Sequence, residues 1–174
     1  MKNIWKILIG FVVIIVVIIA GILLYPKIYI KHTIDNLKLS FWCPTEYKQT
    51  DDGEIKCFIN NKNNITIEIY SFNKAFFGEK TIEEKLKSYE ELLVAHNYGI
   101  GLVQNTSTEI VDISNVLCGK ISTQVKTVNK LNKEITLILP QENCDVIFSI
   151  HSVDENINNN INEIEKIIKS VKIK

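Results

Sequence analysis

From Ile7 to Tyr25 the chain is unbroken apolar sequence, without one charged side chain, and the run stops at Pro26. At ~1.5 Å of rise per residue, a helix of that length reaches roughly 28 Å, close to a bilayer core of about 30 Å. The run therefore predicts one membrane-spanning helix over residues 7–25, with a short tail, residues 1–6, before it. Everything else hangs from its C-terminal end. A cleaved signal peptide needs a shorter apolar region and a small-residue A-x-A-like site. Here the run closes as Ala20-Gly21-Ile22-Leu23-Leu24-Tyr25-Pro26. A lipoprotein needs a cysteine directly after the run, and the first is Cys43; a pilin-like leader cut after Gly10 needs an acid where Ile15 stands. An uncleaved signal anchor fits best.

Lys2 and Lys6 precede the run and Lys27, Lys31 and Lys38 follow it, so the positive-inside count is nearly balanced. The tail has little to fold, and long C-terminal domains translocate largely regardless of charge. The expectation is a single-pass protein of the cell membrane with its domain on the extracytoplasmic side. A cytoplasmic domain on the inner face is the alternative.

The remainder is one ordinary domain in size, too short for two cores of normal volume. Sixteen of the twenty lysines and all twenty acidic residues lie from Asp35 onward, a net of −4. A net-negative domain without a basic cluster excludes nucleic acid as a partner, because such affinity comes from cations that neutralise phosphates. Arginine is absent while Ile, Asn and Lys abound, which reads as the codon bias of an AT-rich bacterial genome.

The order of elements follows from periodicity. Residues 26–36 read as a juxtamembrane connector, with the domain over 37–174. Leu37, Leu39 and Phe41 alternate with Lys38 and Ser40, the period-2 mark of a half-buried strand. Pro44 and Asp51-Asp52-Gly53 break the chain before a second strand at Ile55 to Ile59. Asn60 to Asn64 turns it into a third at Ile65 to Tyr70, completing an opening meander. Thr81 and Glu84 form a capping box, and Ile82, Leu86, Tyr89 and Leu93 give the helix behind it one apolar stripe. Four strands follow at about 108–113, 117–128, 134–139 and 144–151, with a bulge expected at Gly119. Ile157, Ile161, Ile164, Ile168 and Val171 then mark a closing helix near 158–171. The fold class is α+β: an antiparallel sheet with helices packed on it.

Cys43, Cys57, Cys118 and Cys144 permit two disulfides in three connectivities. Leu39, Phe41 and Cys43 share one strand face, and Ile55, Cys57 and Ile59 share one of theirs, so both thiols are expected to face the core. Bridges Cys43–Cys57 and Cys118–Cys144 stand against the alternative of free core thiols. No C-x-x-C, Cys–His pair at ligand spacing or H-E-x-x-H appears, so the pattern supports neither a metal nor another cofactor. His32 is expected at the membrane interface, His96 at a helix C-terminus and His151 on an exposed strand position. Cys144 and His151 fall on opposite faces of one strand, the wrong placement for nucleophile and base. Gly99-Ile100-Gly101 follows a helix where a phosphate loop follows a strand. Trp42, opposite Phe41 and Cys43, is expected to pack under a helix, with an exposed aromatic contact as the alternative.

Leu39-Ser40-Phe41-Trp42-Cys43-Pro44, Gly119-Lys120 opening a long strand, and Ile167-Ile168-Lys169-Ser170-Val171-Lys172-Ile173 together resemble the PsbP-like superfamily, over roughly Leu37 to Ile173. The resemblance implies a binding or assembly module with a protein partner, and no enzyme. It carries over no catalytic or ligand residue, and the four cysteines are not part of its pattern. Two function classes remain: an anchored non-enzymatic module that binds a protein partner, or an enzyme or small-ligand carrier with a pocket between sheet and helix.

Overall fold

The computed structural model describes residues 14–15, 27–73, 79–97 and 101–174. The run expected to span the membrane lies outside the described residues, apart from Ile14 and Ile15, which are helical. No helix among the described residues is long and apolar enough to cross a membrane.

The described chain begins with β1 (Tyr29–Ile34), a 3-10 turn at Asp35–Leu37 and β2 (Leu39–Pro44). A meander follows, β3 (Lys48–Asp52), β4 (Ile55–Asn60) and β5 (Ile65–Asn73), and then helix α1 (Ile82–Asn97). β6 (Leu102–Ile113), β7 (Val116–Lys126), β8 (Leu131–Pro140) and β9 (Cys144–Val153) come next, and α2 (Asp154–Asn159), α3 (Ile161–Lys169) and β10 (Lys172–Ile173) close the chain. Two sheets result, β1-β2-β10 and β3-β4-β5-β9-β8-β7-β6, antiparallel at every pair. After β5 the chain crosses by way of α1 to the far edge at β6. It then returns strand by strand until β9 zips against β5.

The large sheet is covered on both faces. Phe58, Ile67, Leu137, Phe148 and Ile150 face one way and pack with Leu39 and Phe41 of the small sheet and with Ile157, Ile164 and Ile167 of α2 and α3. Ile121, Ile138 and Ile147 face the other way and pack under Leu86 and Tyr89 of α1. Phe41 anchors the first core, its ring 5.1 Å from both Phe58 and Phe148, edge to face.

Several expectations change. The connector expected over 26–36 contains β1, in full register with β2 from Tyr29↔Pro44 to Ile34↔Leu39. The opening meander divides: β2 belongs to the small sheet, and Pro44, whose carbonyl accepts from the Tyr47 N–H, ends it in a turn. The meander's first strand is instead β3, whose sequence KQTDD has no apolar alternation and suits a charged sheet edge. The bulge expected at Gly119 is not there; the β6–β7 register shifts between Val103 and Asn105. Gly119 serves packing, since a Cβ at that position would lie 2.6 Å from Leu86 Cδ2. The closing helix breaks at Asn160, whose side-chain amide donates to the Asn156 carbonyl and so competes with the helical ladder.

Candidate functional site

Helix α1 starts where its capping box predicts. The Thr81 N–H donates to Glu84 Oε2 at 2.8 Å and the Glu84 N–H donates to Thr81 Oγ1 at 3.3 Å. Its apolar stripe lands on β7, with Leu86 over the space that Gly119 leaves open. Past this landing, β5, β9 and β8 continue the same sheet face beside the second half of the helix. The positions they present there are Glu68, Tyr70 and Phe72 of β5, Ser149 and His151 of β9, and Glu134 and Thr136 of β8. With Tyr89, Leu92 and Leu93 as the helical wall, they form an open cleft of about 440 Å³.

The cleft is tied together by hydroxyls. The Tyr70 and Tyr89 hydroxyls lie 3.0 Å apart, and Tyr89 also bonds to Thr136. Thr136 and Ser149 both donate to Glu134 Oε1 at 2.8 Å and sit 3.0 Å from each other. Thr136 and Ser149 are buried, so these bonds hold the Glu134 carboxylate in one orientation. At the open end, His151 Nε2 stands 3.8 Å from Glu68 Oε1. Burial pushes the Tyr70 hydroxyl up; burial, and then the neighbouring Tyr70, push that of Tyr89 well above the usual phenol range. Both phenols keep their protons and serve as hydrogen-bond partners.

Of the cysteines, histidines and Trp42 weighed in the sequence, only His151 lines this cleft. None of the four cysteines forms a disulfide. Cys57 does not face the first core: Phe58 does, fully buried on the opposite parity, and this places Cys57 beside Glu68 across the β4–β5 ladder. A bridge to the inward-facing Cys43 is thereby removed. Cys118 and Cys144 lie two strands apart, since β8 runs between β7 and β9. At about 4.8 Å per strand that separation alone exceeds the usual Cα span of a disulfide. Burial, then Glu163, pushes the Cys43 thiol up to about 12; burial, then Asp112, pushes that of Cys118 up to about 11. Neither is an activated nucleophile. His32, expected at the membrane interface, stacks in β1 against Phe41 at 5.5 Å and meets Phe58 at 4.6 Å. Its Nε2 is buried without a hydrogen-bond partner among the described residues, and burial lowers its pKa. Trp42 is 44% exposed instead of packed, because α3 ends beside its backbone: Ser170 Oγ accepts the Trp42 N–H and donates to its carbonyl. Only the backbone of His96 is described, in the last turn of α1. No group of three or more His, Cys, Asp or Glu side chains among the described residues could hold a metal ion.

A second concavity, about 740 Å³, lies between the β6–β7 hairpin and α3. Val111, Ile113, Ile168 and Val171 give it an apolar floor, and Glu165, Lys169 and Lys172 stand on its rim. The sequence marks Tyr89, Ile168 and Val171 as helix-stripe residues and points to no binding role for them, nor for Glu68, Tyr70, Glu134 or Ser149. The signal for the cleft is the register that sets Glu134 against His151 and Glu68 against Ser149, and it appears only once the strands are paired.

No protein-family model matches the chain, and no curated protein does. Among solved structures, it is similar to cyanobacterial PsbP (CyanoP) from Synechocystis sp. PCC 6803, at 8% identity and a TM-score of 0.64, over 87% of this chain and 95% of that one. It is also similar to a protein from Bacteroides thetaiotaomicron VPI-5482, at 16% identity and a TM-score of 0.57, over 83% of this chain. There the match spans 48% of the other chain, about half its length. At these identities the likeness concerns the fold, and the fold is PsbP-like.

Proposed function

We propose that this PsbP-like domain is a membrane-anchored, extracytoplasmic binding or assembly module that docks a protein partner and turns over no substrate. One observation carries the reading. Lys27 follows Tyr25, the last residue of the apolar run, by two positions and is already tied into the folded domain. The Lys27 ammonium is ion-paired with Glu163 of α3, a buried carboxylate that also accepts from the Tyr47 hydroxyl at 3.1 Å. A membrane helix ending at Tyr25 would hold such a domain directly against the bilayer, leaving it to meet partners in or at the membrane.

The chemistry of the interior fits the same reading. The buried thiols and phenols are shifted towards their protonated forms, so they donate hydrogen bonds and do not attack. The groove between the β6–β7 hairpin and α3 offers an apolar floor and a charged rim, the anatomy of a docking surface. A photo-crosslinking residue placed at Glu165 or Lys169, in the full chain in its own membrane, tests this. A discrete protein adduct should form there and not from the same residue at Glu91, on α1 across the sheet. No adduct at either rim position, or the same adduct from Glu91, refutes the groove as the docking surface.

A further inference from the structure

We infer that the cleft between α1 and strands β5, β9 and β8 is a binding site for an organic cation, an alkylammonium carried on a small apolar body. The inference stands apart from the anchored-module reading, since the docking groove lies on the other face of the sheet and nothing in the cleft depends on the membrane.

Three features converge. The first is charge. Glu68 and Glu134 sit on the two strands flanking β9, so their carboxylates bracket the cleft floor from both sides. Among the described lining residues there is no lysine, and the one side chain able to carry a positive charge is His151, beside Glu68. Elsewhere in the domain lysines meet acids directly, as in Lys85–Asp145, Lys120–Glu109 and Lys169–Glu165. Here two acids share a concave surface with no lysine among its described lining residues.

The second feature is the wall. Tyr70 and Phe72 pack edge to face at 5.5 Å, Tyr89 joins Tyr70 through its hydroxyl, and Leu92 and Leu93 extend the surface. Aromatic faces beside carboxylates attract an ammonium group through the ring quadrupole and give its alkyl substituents apolar contact. An anion would meet two like charges here, and a neutral apolar molecule would bury the carboxylates without compensation.

The third is preorganisation. Two buried hydroxyls fix Glu134 Oε1, so the carboxylate is oriented before any ligand arrives and little side-chain freedom is lost on binding. The volume of about 440 Å³ suits a small-molecule headgroup and lies within the usual range of ligand pockets.

The test uses the full chain in maltoside micelles with ring-labelled tyrosine, titrated with choline and, separately, with 3,3-dimethylbutan-1-ol, which has the same shape without the charge. Choline should shift the Tyr70 and Tyr89 signals saturably, and the neutral alcohol should need a concentration roughly tenfold higher or more. Glu134→Gln and Glu68→Gln should each raise the choline midpoint by roughly threefold or more, and Glu68→Gln should do so without moving the melting temperature. Glu68 is partly exposed, so its variant keeps the test open if Glu134→Gln disturbs the fold. Equal midpoints for choline and the alcohol, choline shifts indifferent to both substitutions, or the lack of any saturable shift would each overturn the inference.

Discussion

Lys85 and Asp145 offer a sharp test of how α1 is held to the sheet. Lys85 Nζ lies 2.7 Å from Asp145 Oδ1, with the two side chains 7% and 0% exposed, and Asp145 Oδ2 has no hydrogen-bond partner among the described residues. The carboxylate is thus compensated at one oxygen only, by one ammonium, in a place water does not reach. Replacing Lys85 by Met leaves that charge buried and unpaired, which costs about 3–5 kcal/mol. Against a total stability of about 5–15 kcal/mol for a domain, that is a large fraction. Replacing both partners, Lys85→Met with Asp145→Leu, removes the unpaired charge and should return the domain to within about 1 kcal/mol of its starting stability, or above it. Urea unfolding of residues 27–174 at neutral pH, read by Trp42 emission and by circular dichroism, gives the three differences if the slope with denaturant stays constant. The reasoning fails if the two single losses simply add in the double variant. It fails equally if Lys85→Met costs less than about 1 kcal/mol, the behaviour of a hydrated surface pair.

Further outcomes can be checked independently. Gly119→Ala should cost about 1–2 kcal/mol, the overpacking against Leu86 outweighing the gain from removing a strand glycine, and a second change Leu86→Ala should add less than its own separate cost. In the native protein at mildly alkaline pH, iodoacetamide should modify the buried Cys43 and Cys118 far more slowly than Cys57 and Cys144, the difference vanishing in denaturant; fewer than four alkylatable thiols without reductant would reveal a bridge instead. Burial depresses the pKa of His32 below its unfolded value of about 6.5, so the unfolded chain takes up a proton first as pH falls. The melting temperature should therefore drop as pH falls through 6.5, and His32→Gln should flatten that part of the profile; an unchanged slope would remove His32 as its cause. Protease added to intact cells should cut the domain away and leave a small membrane fragment, whereas protection until lysis would reverse the orientation.

Local chemistry was legible in the sequence. The capping box at Thr81 and Glu84, the stripe Ile82–Leu86–Tyr89–Leu93 and the alternating strands all appear close to where their residues place them, because each rests on neighbours within one or two turns. Less legible was whatever depends on partners far along the chain. β3 has no apolar period, being an edge strand whose side chains need not enter a core. β1 reads as a connector until β2 is set beside it. Cys57 shares its face with two isoleucines, and only the burial of Phe58 in the Phe41–Phe148 cluster shows that the opposite face wins. The cleft is the extreme case, assembled from β5, β8, β9 and α1 with no two of its acids near each other in sequence.

The error at Cys57 and the existence of the cleft have one origin, a sheet with a core on each side. Strand β8 makes the point: Ile135, Leu137 and Leu139 are buried towards the small sheet, while Thr136 and Ile138 are buried on the other face. Parity therefore separates two interiors instead of an inside from an outside. Those interiors are unequally covered. On the first, a second sheet and two helices close over the apolar positions. On the other lies α1 alone among the described elements; a helix about 10–12 Å across reaches two or three strands of a seven-stranded sheet roughly 29 Å wide. The positions beyond the helix must then change character, and they do, from Ile138 to Glu134 along β8 and from Ile147 to Ser149 and His151 along β9, with Glu68 beside them on β5. An open cleft beside α1 thus follows from the element count of the fold. Its filling does not: solvent asks only for polarity there, and mixed charge or simple hydroxyls would satisfy it. Two carboxylates facing an aromatic wall, with no lysine among the described lining residues, go further than solubility requires, and this is why the cation site is proposed at the cleft rather than at the cysteines.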